Sequence, residues 1–279
     1  MTADLTAGEP PSYGSTHALR LRARSAALLA VASALGVVGF AWPLFLPAEG
    51  SENLAHAADA PWIFVALLPL LLLVVLSELA EGALDAKAVA LLGVLAACGG
   101  MLRLPGGGPL GGSAVFFLLV PAGRVLGRGF GFVLGAVTMF ASALLTAGIG
   151  PWLPFQMFGA AWLGLGAGCL PKARGRAELA LLAAYGFAAG MAYGFLLDLW
   201  FWPFIGGSEL SFVAGAPVLE NLQRFAGFHA VTALAYDIPR GVTIALLVLF
   251  VGRPVLLALR RASRRAAFGA PVTFEPDDT

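Results

Sequence analysis

The sequence predicts an all-α, polytopic membrane protein, and two observations lead to that prediction. Of the 279 residues, 59% are hydrophobic and only 12% are charged, whereas a soluble domain has about 45–50% apolar and about 25% charged residues. The chain also contains several apolar runs near the ~20 residues that a helix needs to cross a bilayer core of about 30 Å. A soluble enzyme is therefore disfavoured.

The apolar runs divide the chain into eight predicted spans between two polar tails. The run at 113–127 is shorter than a standard span and follows the glycine-rich "PGGGPLGG", and short or broken spans often lie beside binding sites. Residues 1–24 and 259–279 are predicted to be cytoplasmic tails. The spans are predicted at 25–46, 61–80, 86–103, 113–127, 129–148, 154–171, 178–200 and 228–252.

The Lys and Arg residues predict the orientation, because cytoplasmic loops carry an excess of them. With a cytoplasmic N-terminus, only Arg103 and Arg224 fall on the outer side and Arg240 falls inside a helix, so the rest of the 17 are cytoplasmic. We therefore predict a multi-pass protein of the cell membrane with both termini inside. The cytoplasmic residues are Arg20, Arg22, Arg24, Lys87, Arg124, Arg128, Lys172, Arg174, Arg176, Arg253, Arg260, Arg261, Arg264 and Arg265.

This orientation places "GIGPWLPFQMF", residues 148–158, in an outer loop. Its glycines and prolines are typical of a chain reversal, since proline fixes φ and glycine permits the turn. Trp152, Phe155 and Gln156 are then candidates for lining a substrate pocket. The alternative is that these side chains only anchor the helix at the membrane surface.

A second group of candidates lies at the end of the seventh span and in the outer segment after it. Aromatic rings suit a flat or large molecule with an apolar face, and polar groups beside them can supply hydrogen bonds. For the tryptophans the alternative is again anchoring at the headgroups. The candidate substrate-binding residues of this group are Tyr193, Asp198, Trp200, Trp202, Glu220, Arg224 and His229.

Asp237 and Arg240 in "YDIPRG" are predicted to form an intramembrane ion pair near the middle of the last span. A charge at that depth costs about 2.5–3.5 kcal/mol on insertion scales, so an ionisable residue there is a functional candidate. The competing interpretation is a structural latch to a neighbouring helix.

Small residues recur four apart in several spans, where they let helices approach closely in lipid. Packing within the molecule is the expected role of the stripes in the sixth and seventh spans. These stripes are Ala160, Gly164 and Gly168; Gly186, Gly190 and Gly194; and Ala184, Ala188 and Ala192.

Several function classes are excluded or disfavoured. The net charge of +1 gives no electrostatic case for nucleic acid. Neither a Gly-x-Ser-x-Gly motif nor a phosphate-cradling glycine loop occurs, so neither a catalytic constellation nor an ATPase is predicted. His17, His56 and His229 fall in separate segments, so no cofactor or metal site is predicted. A metal ion is also disfavoured as the substrate, because its binding would require clustered His and carboxylate groups.

The stretch "AVFFLLVPAGRVLGRGFGFVLGAVTMFASALLTAGIGPWLPFQMFGAAWLGLGAGCLP" resembles the substrate-binding S components of energy-coupling factor (ECF) transporters. The late "YDIPRG" is similar to the Asp-x-Pro-Arg pattern in the last helix of that family, and the likeness covers roughly residues 86 to 260. The resemblance implies a six-helix core at 85–258, preceded by an extra transmembrane hairpin at 25–84.

The resemblance also implies a function and partners. An S component captures a vitamin-like molecule on the outer side and delivers it inward with a transmembrane T component and two ABC ATPases. Its docking motif on the first core helix is best matched by Ala86 and Ala90, with Gly93 and Ala97 as an alternate register and Ala26 and Ala30 of the first helix as a rival.

The expected function is therefore vitamin or micronutrient capture, and cobalamin is favoured over riboflavin, another B vitamin or a queuosine-like base. The alternative is a stand-alone secondary transporter of a small organic molecule, which would require ionisable residues on several midplane helices.

Overall fold

The computed structural model describes residues 23–41, 44, 86–103, 111–146 and 148–266. Helices contain 84% of these described residues, which include no strand, so the all-α prediction is confirmed over them. Three helical segments are long and apolar enough to cross a membrane: Arg128–Leu145, Gly175–Phe204 and Leu234–Ala266. The predicted total of eight spans and the cytoplasmic position of both termini stay predictions.

Eight α-helices occupy the described ranges. There are also two short 3-10 helices, Gly111–Phe116 and Trp202–Phe204. The predicted span at 61–80 and the predicted boundary between hairpin and core at residue 85 lie outside the described residues. The helices are α1 (Ala23–Ala41), α2 (Ala86–Met101), α3 (Leu119–Leu126), α4 (Arg128–Leu145), α5 (Leu153–Cys169), α6 (Gly175–Phe201), α7 (Val218–Thr232) and α8 (Leu234–Ala266).

The last predicted span has the wrong boundaries, because 228–252 is divided between two helices. α7 forms in a segment that was predicted to be an outer loop, and α8 then runs from Leu234 into the predicted tail as far as Ala266. The break falls at Ala233, whereas Pro239 lies inside α8, so the proline does not mark the position of the break. Asp237 consequently lies in the first turn of α8 rather than near the middle of a span.

The short span predicted at 113–127 is also not one helix. The 3-10 helix "GGSAVF" is separated from the eight-residue α3. Two consecutive glycines and a serine begin this segment, and glycine is disfavoured in an α-helix by about 1 kcal/mol relative to alanine.

The helices form the core by close backbone contacts at glycine. α4 packs along α5, where a Cβ added at Gly164 would overlap the carbonyl of Gly131. α6 packs along α8, where a Cβ at Gly190 would lie 3.1 Å from the Cα of Gly241. The predicted packing role of these two stripes is confirmed. The stripe at Ala184, Ala188 and Ala192 is exposed among the residues that the structure describes, so its packing role stays a prediction.

One end of the helical body is basic. Arg124 on α3 and Arg260 on α8 both pair with Glu178 at the start of α6, with N–O distances of 2.9 and 2.6 Å. Lys87 at the start of α2 donates to the carbonyl of Ala266 at 3.0 Å. We call this the basic end, and it joins the helix ends that the charge pattern assigns to one side of the membrane.

The opposite end contains the other helix ends. Arg103 follows α2 and donates to Ser142 on α4 at 2.9 Å, and it lies 3.5 Å from Gln156 on α5. α6 begins at the basic end and α8 finishes there. The end of α6 and the start of α8 therefore lie at the opposite end. The arrangement agrees with the alternation of loops predicted for residues 86–266, while the side that faces the cytoplasm stays a prediction.

Candidate functional site

Four ionisable side chains from three helices meet at the opposite end. Asp198 lies in the last turn of α6, His229 in the last turn of α7, and Asp237 and Arg240 in the first two turns of α8. α8 begins two residues after α7 ends, which brings His229 close to Asp237 although the two are eight positions apart in the sequence. We call these four residues the charged cluster.

The imidazole of His229 lies between two carboxylates. Its Nδ1 is 2.8 Å from Asp198 Oδ2, where it forms a hydrogen bond, and its Nε2 is 3.8 Å from Asp237 Oδ2. The first distance is that of a charge-assisted hydrogen bond, whereas the second is too long for one. The second carboxylate therefore faces the ring without being bonded to it.

Arg240 completes the cluster from the other side of Asp237. It donates to Asp237 Oδ1, so the predicted ion pair forms. The same guanidinium nitrogen lies 3.4 Å from the carbonyl of Gly190 on α6, and the guanidinium carbon is 5.4 Å from the centre of the Tyr193 ring. The pair therefore also acts as the latch between neighbouring helices that the sequence left open as an alternative.

Asp237 is the most enclosed member of the cluster, since only 2% of its surface is exposed. The Oδ2 atom accepts no hydrogen bond from any residue that the structure describes. A Cβ added at Gly194 on α6 would overlap this carboxylate, so only glycine permits the approach. A buried carboxylate with one unsatisfied oxygen is costly, and such groups need an explanation.

Aromatic rings surround the cluster. Phe195 and Phe225 lie 5.3 and 5.9 Å from the His229 ring, measured between centroids. Trp202 is fully buried and donates its indole N–H to the carbonyl of Leu210 at 2.7 Å. Trp202 therefore packs in the interior and holds the segment after α6 in place, which does not fit the anchoring alternative.

Trp200 differs from Trp202 in one respect. It is also buried, but its indole N–H has no hydrogen-bond partner among the described residues. Its ring lies 4.8 Å from Phe155, which is itself fully buried and 4.9 Å from Phe40 on α1. Phe155 thus joins the core, and Trp200 leaves one buried donor without a partner in the described part of the chain.

The remaining sequence-predicted candidates are not brought to the charged cluster by their described contacts. Trp152 is 41% exposed and donates to the carbonyl of Gly148, and Gln156 accepts from Arg103. Glu220 and Arg224 pair along α7 at 2.9 Å, and Arg224 also donates to the backbone of the preceding loop.

Both candidate docking stripes are exposed in the part of the chain that the structure describes, so a partner could reach either of them. Ala86, Ala90, Gly93 and Ala97 all lie on the exposed face of α2, and a Cβ added at Gly93 would meet nothing within 4 Å. Ala26 and Ala30 of α1 are exposed as well. Exposure therefore does not separate the predicted stripe from its rival.

Two cavities are lined by none of the four residues of the charged cluster. One, of about 300 Å³, separates α5 from α6 and includes Tyr193 together with mostly apolar neighbours. The other, of about 510 Å³, lies at the basic end and is lined by Arg176, Glu178, Arg253 and Arg260, among others. Of the predicted substrate-binding residues, only Tyr193 lines either cavity.

The sequence predicted neither the contacts of Arg103, nor the two hydrogen bonds by which Asn221 holds the backbone of Val213, nor the metal-ligating potential of the charged cluster. Arg103 had one signal, its isolation on the side poor in Lys and Arg. The ligand atoms of Asp198, His229 and Asp237 all lie within 4.8 Å of one another. The spacing of the histidines along the chain gives no sign that two carboxylates lie beside His229 in the fold.

Comparison with known proteins gave no match: no family model, no curated protein and no solved structure is similar to this chain.

Proposed function

We propose that the chain is the substrate-binding subunit of an ECF-type importer, which captures a vitamin or related micronutrient from the outer side of the membrane. The observation that supports the proposal is the charged cluster at the end opposite the basic end. The cluster contains a buried acceptor, Asp237 Oδ2, that receives no hydrogen bond from any described residue. The buried indole N–H of Trp200, near the end of α6, likewise has no partner among the described residues. A polar ligand can supply both missing partners.

The charge distribution supports capture from outside. Lys and Arg concentrate at the basic end, and cytoplasmic segments are the ones enriched in these residues. The charged cluster then faces outward. Delivery requires the T component and two ABC ATPases, since the sequence offers no nucleotide-binding motif of its own.

Cobalamin is the first molecule to test and riboflavin the second. Both are large and have polar edges, which suits a site of aromatic rings and charged groups. Exposed Trp152 before α5 and half-buried Gln156 on α5 stay candidates for further ligand contacts, although their described contacts do not bring them to the charged cluster.

Purification followed by mass spectrometry of the co-purifying small molecule tests the capture step. We expect a retained vitamin, and saturable binding when cobalamin or riboflavin is titrated into the emptied protein. Asp198→Asn is expected to weaken binding roughly 10- to 100-fold, the equivalent of about 1.5–3 kcal/mol for a hydrogen bond to a charged group. Glu209→Gln, on the exposed loop, is the matched control and should bind normally. Lipid as the only retained molecule, with no binding on titration, would contradict capture.

Docking to the T component is tested by tryptophan substitution on the two exposed stripes. Ala90→Trp is expected to abolish uptake while vitamin binding stays normal, because a bulky ring prevents close approach of a partner helix. Ala30→Trp on α1 is the matched variant and should leave uptake intact. The reverse pattern would move docking to α1, and normal uptake in both variants would remove the docking proposal.

One observation favours the alternative, a secondary transporter. Ionisable residues from α6, α7 and α8 converge in the charged cluster, whereas the sequence indicated only the pair on the last span. Transport driven by an ion gradient uses such clusters. The two functions differ in their energy source, which can be measured directly.

A further inference from the structure

We propose that the charged cluster binds a divalent transition-metal ion of the Zn²⁺ type through His229 Nε2 and Asp237 Oδ2, with Asp198 as the positioning carboxylate. The inference does not rest on vitamin capture, because the purified chain is tested with metal ions alone. It contradicts the expectation, drawn from the spacing of the histidines, that the chain has no metal site.

The hydrogen bond between His229 and Asp198 prepares the imidazole as a ligand. A carboxylate accepts, so the 2.8 Å contact places the ring proton on Nδ1. In the neutral imidazole the lone pair is then on Nε2, the atom that faces Asp237. Carboxylate, imidazole and metal follow one another in this order in many metalloproteins, where the outer carboxylate orients the ring and raises its basicity.

Asp237 supplies the second ligand atom. Its Oδ1 is occupied by Arg240, but its Oδ2 is buried, unsatisfied by the described residues, and 3.8 Å from His229 Nε2. Two donors that each bind Zn²⁺ at about 2.0–2.2 Å are roughly 3.4 Å apart at a tetrahedral angle. The two atoms therefore need to approach each other by only about 0.4 Å to reach the spacing of two zinc ligands.

The charges of the cluster favour a cation. The cluster has two carboxyl groups and one guanidinium, and Arg240 already pairs with the far oxygen of Asp237, which leaves the near oxygen for a cation. A nitrogen and a carboxylate oxygen are ligands that suit Zn²⁺, Co²⁺ and Ni²⁺ better than Ca²⁺ or Mg²⁺, which require oxygen ligands alone. Water or a ligand group completes the coordination.

The experiment titrates Zn²⁺ into tag-free protein that carries Cys98→Ser and Cys169→Ser, because both cysteines are free and exposed and can bind metal adventitiously. Calorimetry and elemental analysis should give one ion per chain. Co²⁺ should compete for the site and show visible d–d bands.

Four variants assign the site. His229→Gln should remove detectable binding, and Asp198→Asn should weaken it about 10- to 100-fold, as loss of an outer carboxylate does in other metal sites. Arg240→Gln should tighten binding, since it frees Asp237 from a competing cation. Glu209→Gln, outside the cluster, should leave it unchanged.

Failure to bind one ion saturably would overturn the proposal, and so would binding that survives His229→Gln. If His229→Gln does not fold, Asp198→Asn and Arg240→Gln decide instead. They must change the affinity in opposite directions, and equal or absent effects in both would also overturn the proposal.

Discussion

Replacing Gly194 by alanine tests how tightly α6 and α8 are locked at the charged cluster. The added Cβ would overlap Cγ, Oδ1 and Oδ2 of Asp237 at once, so rotation of the carboxylate cannot relieve the clash. Either the two helices move apart or the carboxylate leaves Arg240. Overpacking a core costs about 1–3 kcal/mol, and breaking a buried ion pair costs about 3–5 kcal/mol. We expect Gly194→Ala to lower the free energy of unfolding by about 2–4 kcal/mol, between these limits.

Gly93→Ala on the exposed face of α2 is the matched control, because a Cβ there would meet no atom within 4 Å. Alanine is favoured over glycine in a helix by about 1 kcal/mol, so this variant should be neutral or more stable. Unfolding by SDS in mixed micelles, followed by circular dichroism, measures both variants against the unaltered chain. If Gly194→Ala unfolds within about 0.5 kcal/mol of Gly93→Ala, the tight approach of Gly194 to Asp237 is wrong.

Two further substitutions test the ends of the helical body. Glu178→Gln removes the carboxylate shared by Arg124 and Arg260. Because Arg124 is largely buried, we expect the free energy of unfolding to fall by about 3 kcal/mol in the same assay. A change below about 0.5 kcal/mol would refute the shared pair. Asn221→Ala removes the buried amide that bonds both the N–H and the carbonyl of Val213, so we expect a loss of about 1–3 kcal/mol and faster proteolysis in the loop before α7; an unchanged cleavage rate would count against this tie.

The fold could be predicted from the sequence where apolar runs end at strong turn formers. The predicted spans at 129–148, 154–171 and 178–200 match α4, α5 and α6 to within three residues at each end. The region of α7 and α8 was predicted poorly. The polar residues of α7 make its sequence resemble a loop, and the apolar pattern shows no boundary between α7 and α8.

The candidate site was predicted in its members but not in its arrangement. Asp198, His229, Asp237 and Arg240 were all candidates, yet their proximity depends on the break between α7 and α8 and on the direction of α6. The burial of the aromatic residues could not be predicted either. Trp202 and Phe155 lie in sequence contexts typical of aromatics at a membrane surface, but both pack inside the helical body. Tertiary contacts of this kind have no local pattern in the sequence.

The energy source of transport tests the central claim most directly. The purified chain is reconstituted into proteoliposomes, once alone and once together with its T component and ATPases. Uptake of the co-purifying vitamin is then measured under an ion gradient and with ATP, and cobalamin is the first probe. A substrate-capturing subunit should bind the vitamin when alone yet accumulate none under any gradient, and ATP should drive uptake only in the full complex. Gradient-driven uptake by the chain alone would contradict the account and establish the secondary transporter instead.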